Sequence, residues 1–272
     1  MPHPPLDVRW IHGSPSAKHN TDPDIQVYAH DPDTYVLRQN KAVHYEAPFL
    51  FLLLGDERAL LLDTGATADP AHFPLRRTVD ALLAPRLAER PGYRLLVAHT
   101  HGHGDHVAGD GQFADRPATE VVPAEQGLAR FGLDGERTAE LDLGGRRLEC
   151  LATPGHHPHS VTWFDPRTGF LLTGDTVYPG RLYVDDWPAF TRTVDRLVDF
   201  ADDRPVTHVL GCHIEMTSEP GVDYPIRTTH QPDEPPLELS VADLHDLRRA
   251  CREIGDRPGR HPYPRFVVCK PD

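Results

Sequence analysis

The chain has 272 residues, 39% hydrophobic and 25% charged, enough to bury a sizeable core in one globular domain. Its balance of 41 acidic against 28 basic residues leaves −13, which disfavours nucleic acid and anionic membrane surfaces as partners and favours a small-molecule substrate. The opening "MPHPPLDVRW" lacks an apolar signal region, and no run approaches the roughly 18 apolar residues of a membrane span, so a cytoplasmic protein is expected.

Residues 1–24, rich in Pro, His, Asp and Ser, read as an irregular N-terminal arm whose order must come from docking, and residues 25–272 as a single domain. Strand-like runs follow: "IQVYA", "TYVLRQ", "FLFLLL" and "ALLLD", with "GDER" (55–58) as a hairpin turn. "FLFLLL" is apolar at every position and is expected inside a sheet. "PLRRTVDALLAPRLAER" places Leu75, Val79, Leu82, Leu83 and Leu87 on one helical face, with Pro85 expected to kink or interrupt the helix. Further strands are expected at 94–98, 118–122, 147–152, 161–164, 170–173 and 206–210. Helices follow in "DWPAFTRTVDRLVDFADD", with Pro188 near its start, and in "SVADLHDLRRACREIG", with Ser240 as N-cap and Gly255 as terminator. "RFVVC" is expected to return as an edge strand. Interleaved strands and helices without a repeat indicate an α/β (α+β) layered domain.

Four of these strand runs end in metal-type donors. Run 94–98 leads into "THGHGDH" (100–106), run 147–152 into "TPGHHPH", run 170–173 into "GDT" and run 206–210 into "GCH". Loops at one rim of a rigid sheet are a common place to assemble a site. The cluster holds His101, His103, Asp105 and His106, nitrogen and oxygen donors suited to Zn²⁺, Fe²⁺ or Mn²⁺. Four donors so close are hard to place around one tetrahedral ion, so two ions are expected, each completed by residues from other loops. Gly102 and Gly104 are expected to give the backbone freedom that lets the side chains converge. Cys150, Cys212, Cys251 and Cys269 form no CxxC pair, and Cys212 beside His213 reads as an inert buried thiol.

These motifs resemble the metallo-β-lactamase superfamily. "THGHGDH" is similar to its HxHxDH signature, "LLLDTG" (60–65) to its early strand with a buried aspartate, here Asp63, and "TPGH" (153–156) to its third-histidine motif. "LTGDT" (172–176) resembles its bridging-aspartate motif and "GCH" (211–213) its last histidine. The resemblance implies an αββα sandwich of two mixed sheets flanked by helices. It implies that His101, His103 and His156 hold one metal, that Asp105, His106 and His213 hold another, and that Asp175 bridges them. The activity implied is a dinuclear hydrolase, with two divalent ions, zinc first and iron or manganese next, whose bridging hydroxide attacks a small thioester, lactone or related ester.

Asp105 could also orient the nucleophile or carry a proton to the leaving group. Tyr178, three residues after Asp175, stands where related lactonases carry a tyrosine that donates to the substrate carbonyl. Asp175 makes the glyoxalase II and lactonase-like branch a closer resemblance than the true β-lactamases. A mononuclear-iron persulfide dioxygenase is the alternative, with a phosphodiesterase or a non-catalytic metal-binding protein behind it. "PGHHPHS" departs from the usual family pattern at His157 and His159, which read as loop residues or as substrate contacts. His99 reads as a residue supporting the ligands rather than as a ligand. Arg181 is a candidate for a substrate carboxylate, and residues 214–239 either cover the pocket or form a surface connection. Oligomeric state is not legible.

Overall fold

The computed structural model describes residues 6–135 and 137–272, so positions 1–5 of the expected arm lie outside the described residues. Six strands form the first sheet: β1 (Ile25–Asp31), β2 (Thr34–Gln39), β3 (Phe49–Leu54), β4 (Arg58–Leu62), β5 (Arg94–Ala98) and β6 (Thr119–Val121), in sequential order. The first three pairings are antiparallel and the last two parallel, because α1 (Leu75–Glu89) crosses over between β4 and β5. Two short helices follow, α2 (Gly104–Val107) after β5 and α3 (Ala124–Arg130) after β6.

The second sheet is built from β7 (Thr138–Asp142), β8 (Arg147–Ala152), β9 (Val161–Asp165), β10 (Phe170–Gly174), β12 (His208–Gly211) and β13 (Glu238–Leu239). Its order is β13-β12-β10-β9-β8-β7, with only the β10–β12 pair parallel. Between β10 and β12 the chain lays down β11 (Arg181–Tyr183) and α4 (Trp187–Asp202). After β13 come α5 (Val241–Ile254), β14 (Gly259–Pro262) and β15 (Val267–Lys270).

The period-two geometry of β3 explains why its sequence is apolar throughout. Phe49, Phe51 and Leu53 enter the layer between the sheets with Trp163, Phe170 and Leu210, while Leu50, Leu52 and Leu54 face the layer under α1 with Val79 and Leu83. Helices α4 and α5 bury Phe190, Val194, Leu244 and Leu247 on the outer face of the second sheet against Phe164 and Leu171. The layers are therefore helix, sheet, sheet, helix.

Two expectations need correction. The helix runs through Pro85 to Glu89. The carbonyl that loses its partner belongs to Ala81, on the exposed side of the helix where water can satisfy it. The expected face is found: Leu75, Val79 and Leu83 are buried, and Leu82 and Leu87, partly buried, pack against the same core. The run "RFVVC" (265–269) is no edge strand: β15 lies between β11 and β14 in a small third sheet, β11-β15-β14.

The α5 start follows its sequence signal. Ser240 accepts from the backbone of Asp243 (3.3 Å), and Asp243 accepts from the backbone of Ser240 (2.7 Å), a complete capping box. Ser240→Ala is expected to cost about 1 kcal/mol in chemical denaturation. An unchanged unfolding midpoint would show that the cap contributes nothing.

The N-terminal arm docks through Leu6 and Trp10, both 8% exposed. The Trp10 ring meets Phe49 edge-on at 4.8 Å and Tyr28 at 5.8 Å. A cleft of about 350 Å³ lies between the arm and Pro232–Glu238, remote from the donor residues. Segment 214–239 is clamped at both ends. Buried Arg38 grips Glu234 with two bonds of 2.6 Å, and Arg181 pairs with Glu215 at 2.5 Å and with Asp223 at 2.9 Å. Among the described residues no helix is long and apolar enough to cross a membrane.

Candidate metal centre

Strands β5, β8, β10 and β12 end at one rim, and the seven donors gather there in two groups. In the first, His101 Nε2 lies 3.0 Å from His103 Nδ1, and His156 Nε2 lies 3.3 Å and 3.1 Å from these two atoms. Tetrahedral zinc with nitrogen at 2.0–2.1 Å separates its ligands by about 3.4 Å, so the triangle is close to the size such an ion requires. In the second group Asp105 Oδ2 lies 3.3 Å from His106 Nε2 and 3.2 Å from His213 Nε2.

Asp175 stands between the groups. Its Oδ2 is 3.5 Å from His106 Nε2, 3.8 Å from His156 Nε2 and 4.0 Å from His101 Nε2, while Oδ1 is 3.4 Å from His213 Nε2. The buried atoms His106 Nε2 and Asp175 Oδ1 have no hydrogen-bonding partner among the described residues. Orphaned buried polar atoms facing further donors are what a cation site looks like, so the residues fit divalent ions.

The outer atoms of the imidazoles are held by the scaffold. His156 Nδ1–H donates to the Tyr183 carbonyl (2.8 Å), His213 Nδ1–H to the Glu46 carbonyl (3.1 Å), and His106 Nδ1–H to Asp63 Oδ2 (2.9 Å). Each bond leaves Nε2 with its lone pair turned into the site. Asp63 also accepts from the Thr100 backbone (2.7 Å) and hydroxyl (2.8 Å), and sits in the left-handed region at φ 66°. That backbone turn at the end of β4 places its carboxylate beneath "THGHGDH". Residues 104–107 form the short helix α2, which carries Asp105 and His106 into the second group, the His106 ring lying 4.0 Å from that of His101.

Electrostatics follow from burial against charge. Desolvation lowers His101 far below the usual range, and it lowers His103 with the help of His156, so both stay neutral and free to ligate. Burial also opposes charge on His106 and His213, but carboxylates overcome it. Asp175, Asp63 and Asp105 lift His106 well above its ordinary value, and Asp175 and Asp105 lift His213 to about 10. Burial would raise Asp175, yet the charges of His213 and His106 hold it far down. Without metal, the second group therefore keeps protons on two imidazoles where a cation would otherwise sit. Zinc uptake by metal-free protein at pH 7 is expected to release protons, and affinity is expected to fall as pH falls. Titration with zinc in weak buffer and an indicator dye tests this; uptake without proton release would refute it.

His99 is not in either group. Buried, it touches the His106 carbonyl (3.2 Å) and lies 3.2 Å from Asp110 Oδ2; burial pulls its pKa down, but Asp110 and Asp63 raise it to about 9. Cys212 Sγ–H donates to Asp63 at 3.5 Å, and burial raises the thiol. Tyr178 comes close to the site only by its ring, 5.6 Å from that of His213. Its hydroxyl donates to the Arg181 carbonyl and to Glu215 (3.1 Å), and the residue is 2% exposed. In this arrangement the hydroxyl is engaged by the Arg181 carbonyl and Glu215 and is not offered to a substrate carbonyl, contrary to the expected donor role. Arg181, similarly, is consumed by Glu215 and Asp223 and is not free for a substrate carboxylate.

Neither glycine of the cluster adopts a positive φ. At Gly104 an added Cβ would meet nothing within 4 Å, so the expected need for glycine there is not found. The supporting carbonyls of Glu46 and Tyr183 carry no residue-type signal, since every residue has a backbone acceptor, and Asp110 acts through a carboxylate that only the fold brings to His99.

Residues 47–249 match the family described as the Metallo-beta-lactamase superfamily. A hydroxyacylglutathione hydrolase of Rhizobium meliloti (strain 1021) is 28% identical over 189 residues, 63% of this chain and 70% of that protein. Others of that name match over about half of their own length, 50% and 46%. The acyl-coenzyme A thioesterase MBLAC2 of Homo sapiens is 28% identical over 60% of this chain and 72% of its own. A solved metallo-beta-lactamase structure from Pontibacter korlensis has a TM-score of 0.57 at 16% identity, covering 84% of this chain and 99% of that one, a likeness of fold alone.

Proposed function

The chain belongs to the metallo-beta-lactamase superfamily as a metal-dependent hydrolase, and from that premise we propose that it cleaves a small thioester at a site for two divalent cations. Lactones and related esters are the next class. The observation that carries the reading is Asp175, whose two oxygens face the two donor groups at once. Names borne by relatives, a hydroxyacylglutathione hydrolase and an acyl-coenzyme A thioesterase, support a thioester.

Cations bound there lower the pKa of water toward about 7 and polarise the scissile carbonyl. His101, His103 and His156 would hold the first, Asp105, His106 and His213 the second, and Asp175 would be shared. Asp105 turns Oδ2 toward His106 and His213 and keeps a side chain 15% exposed. Its other oxygen can orient the attacking water and pass a proton to the leaving thiolate. The Tyr178 ring packs edge-on against that of His213 and helps hold it in place. The nitrogen and carboxylate set suits zinc, with iron and manganese next. Four free cysteines suit a reducing cytoplasm, and the charge of −13 suits a small-molecule partner.

Metal analysis of protein purified without added metal, followed by hydrolysis of hydroxyacylglutathione and acyl-coenzyme A thioesters, tests the reading. Two zinc ions per chain with thioester hydrolysis are expected. One iron per chain, with oxygen consumed on a persulfide, would overturn it.

A further inference from the structure

His157 stands beside the first donor group without belonging to it. Its ring centre lies 5.6 Å from that of His101 and 5.0 Å from that of His103. Its Nδ1 accepts the backbone N–H of His159 at 3.1 Å. That bond fixes the neutral tautomer, with the proton on Nε2. Among the described residues Nε2 has no hydrogen-bonding partner, and it is not among the atoms sealed from solvent.

Gly102 makes room for this ring. A Cβ there would stand 3.3 Å from His157 Cε1 and 3.5 Å from Nε2, with the Ala124 Cβ at 3.4 Å on another side. Any side chain at 102 would crowd the imidazole. The glycine between two candidate ligands and the histidine following a third thus fit one another, and they leave a pinned, unpaired N–H donor at the edge of the triad.

We propose that His157 Nε2–H binds substrate, accepting into the site a molecule that carries a neutral oxygen acceptor near its scissile bond. The inference rests on the thioester reading and deepens it. A thioester offers such an oxygen on either side of the sulfur: a 2-hydroxyl on the acyl group, or an amide carbonyl on the thiol carrier. Both share the same chemistry toward an N–H donor. His157 touches no reacting atom in this account; it sets specificity.

The test uses zinc-loaded full-length protein and four substrates: lactoyl and propionyl thioesters, each on N-acetylcysteamine and on ethanethiol. His157→Ala is expected to raise KM about fivefold to tenfold on substrates carrying the recognised oxygen, leaving kcat and bound zinc unchanged. Substrates lacking it should be unaffected. Dependence on the lactoyl hydroxyl marks the acyl side; dependence on the carrier amide marks the thiol side. His157→Gln, which restores an N–H donor, should recover most of the loss. An equal effect on all four substrates, or lost zinc, would overturn the proposal in favour of a structural role.

If the wild type cleaves none of the four, the thioester reading fails on its own account. Calorimetric binding of lactate and of N-acetylcysteamine then decides the role of His157. Weaker binding of one of them to His157→Ala supports the donor role, and equal affinities overturn it.

Discussion

Asp175→Ala is expected to lower turnover on the order of 10³-fold and to leave one metal ion or fewer per chain, as measured by metal analysis beside steady-state kinetics. Changes that merely touch a supporting residue cost about 10–100-fold in metal affinity or activity. Asp175 should cost more, because it faces both donor groups: Oδ2 toward His106, His156 and His101, and Oδ1 toward His213. In the proposed two-cation site its removal would take one negative charge from the boundary between the two ions and leave each without a shared ligand. Asp175→Asn keeps the shape but not the charge, so a similar loss in that variant points to charge rather than packing. Full retention of two ions and of activity in either variant would remove Asp175 from the bridging role.

The second large effect is on stability. Arg146→Ala is expected to destabilise the fold by about 3–5 kcal/mol in denaturant titration, a large part of the 5–15 kcal/mol typical of a native protein. The guanidinium is 2% exposed and its partner Asp165 is fully buried. Arg146 donates to Asp165 at 2.6 Å and 3.3 Å, and to the Asp33 carbonyl, the Leu54 carbonyl and the Thr34 hydroxyl. These bonds tie the first sheet to the end of β9 in the second. Truncation leaves the Asp165 charge buried without its cation and takes a donor from three further acceptors, of which the Asp33 carbonyl keeps the Leu54 N–H. The double variant Arg146→Met with Asp165→Leu removes both charges and should lose less than Arg146→Ala alone. If the double variant proves worse, the cost lies in lost packing rather than in the unpaired charge.

The donor residues were legible because their signal is local. "THGHGDH" puts four metal-type groups into six positions, and "TPGH", "GDT" and "GCH" each follow an apolar run, so strand ends could be matched to donors by counting along the chain. The α5 cap was legible for the same reason, since a capping box closes over three residues. Tyr178 and Arg181 were misjudged because their partners, Glu215 and Asp223, come 34 to 42 residues later, and only the folded chain brings them together. The central place of β15 was hidden similarly: its neighbours are β11, far upstream, and β14.

By itself, then, the sequence determined which residue types crowd one rim, the period of each buried face and the ends of the amphipathic helices, because side-chain chemistry and periodicity are written residue by residue. Only the tertiary structure decided which lone pair of His106, His156 and His213 points inward. That choice rests on the carbonyls of Tyr183 and Glu46 and on the Asp63 carboxylate. Two of these acceptors are backbone atoms that every residue possesses, and all three come from remote segments. Selection of the two carbonyls by position rather than identity is the physical reason that no reading of residue types could have found them, whereas Asp63 announces itself in "LLLDTG".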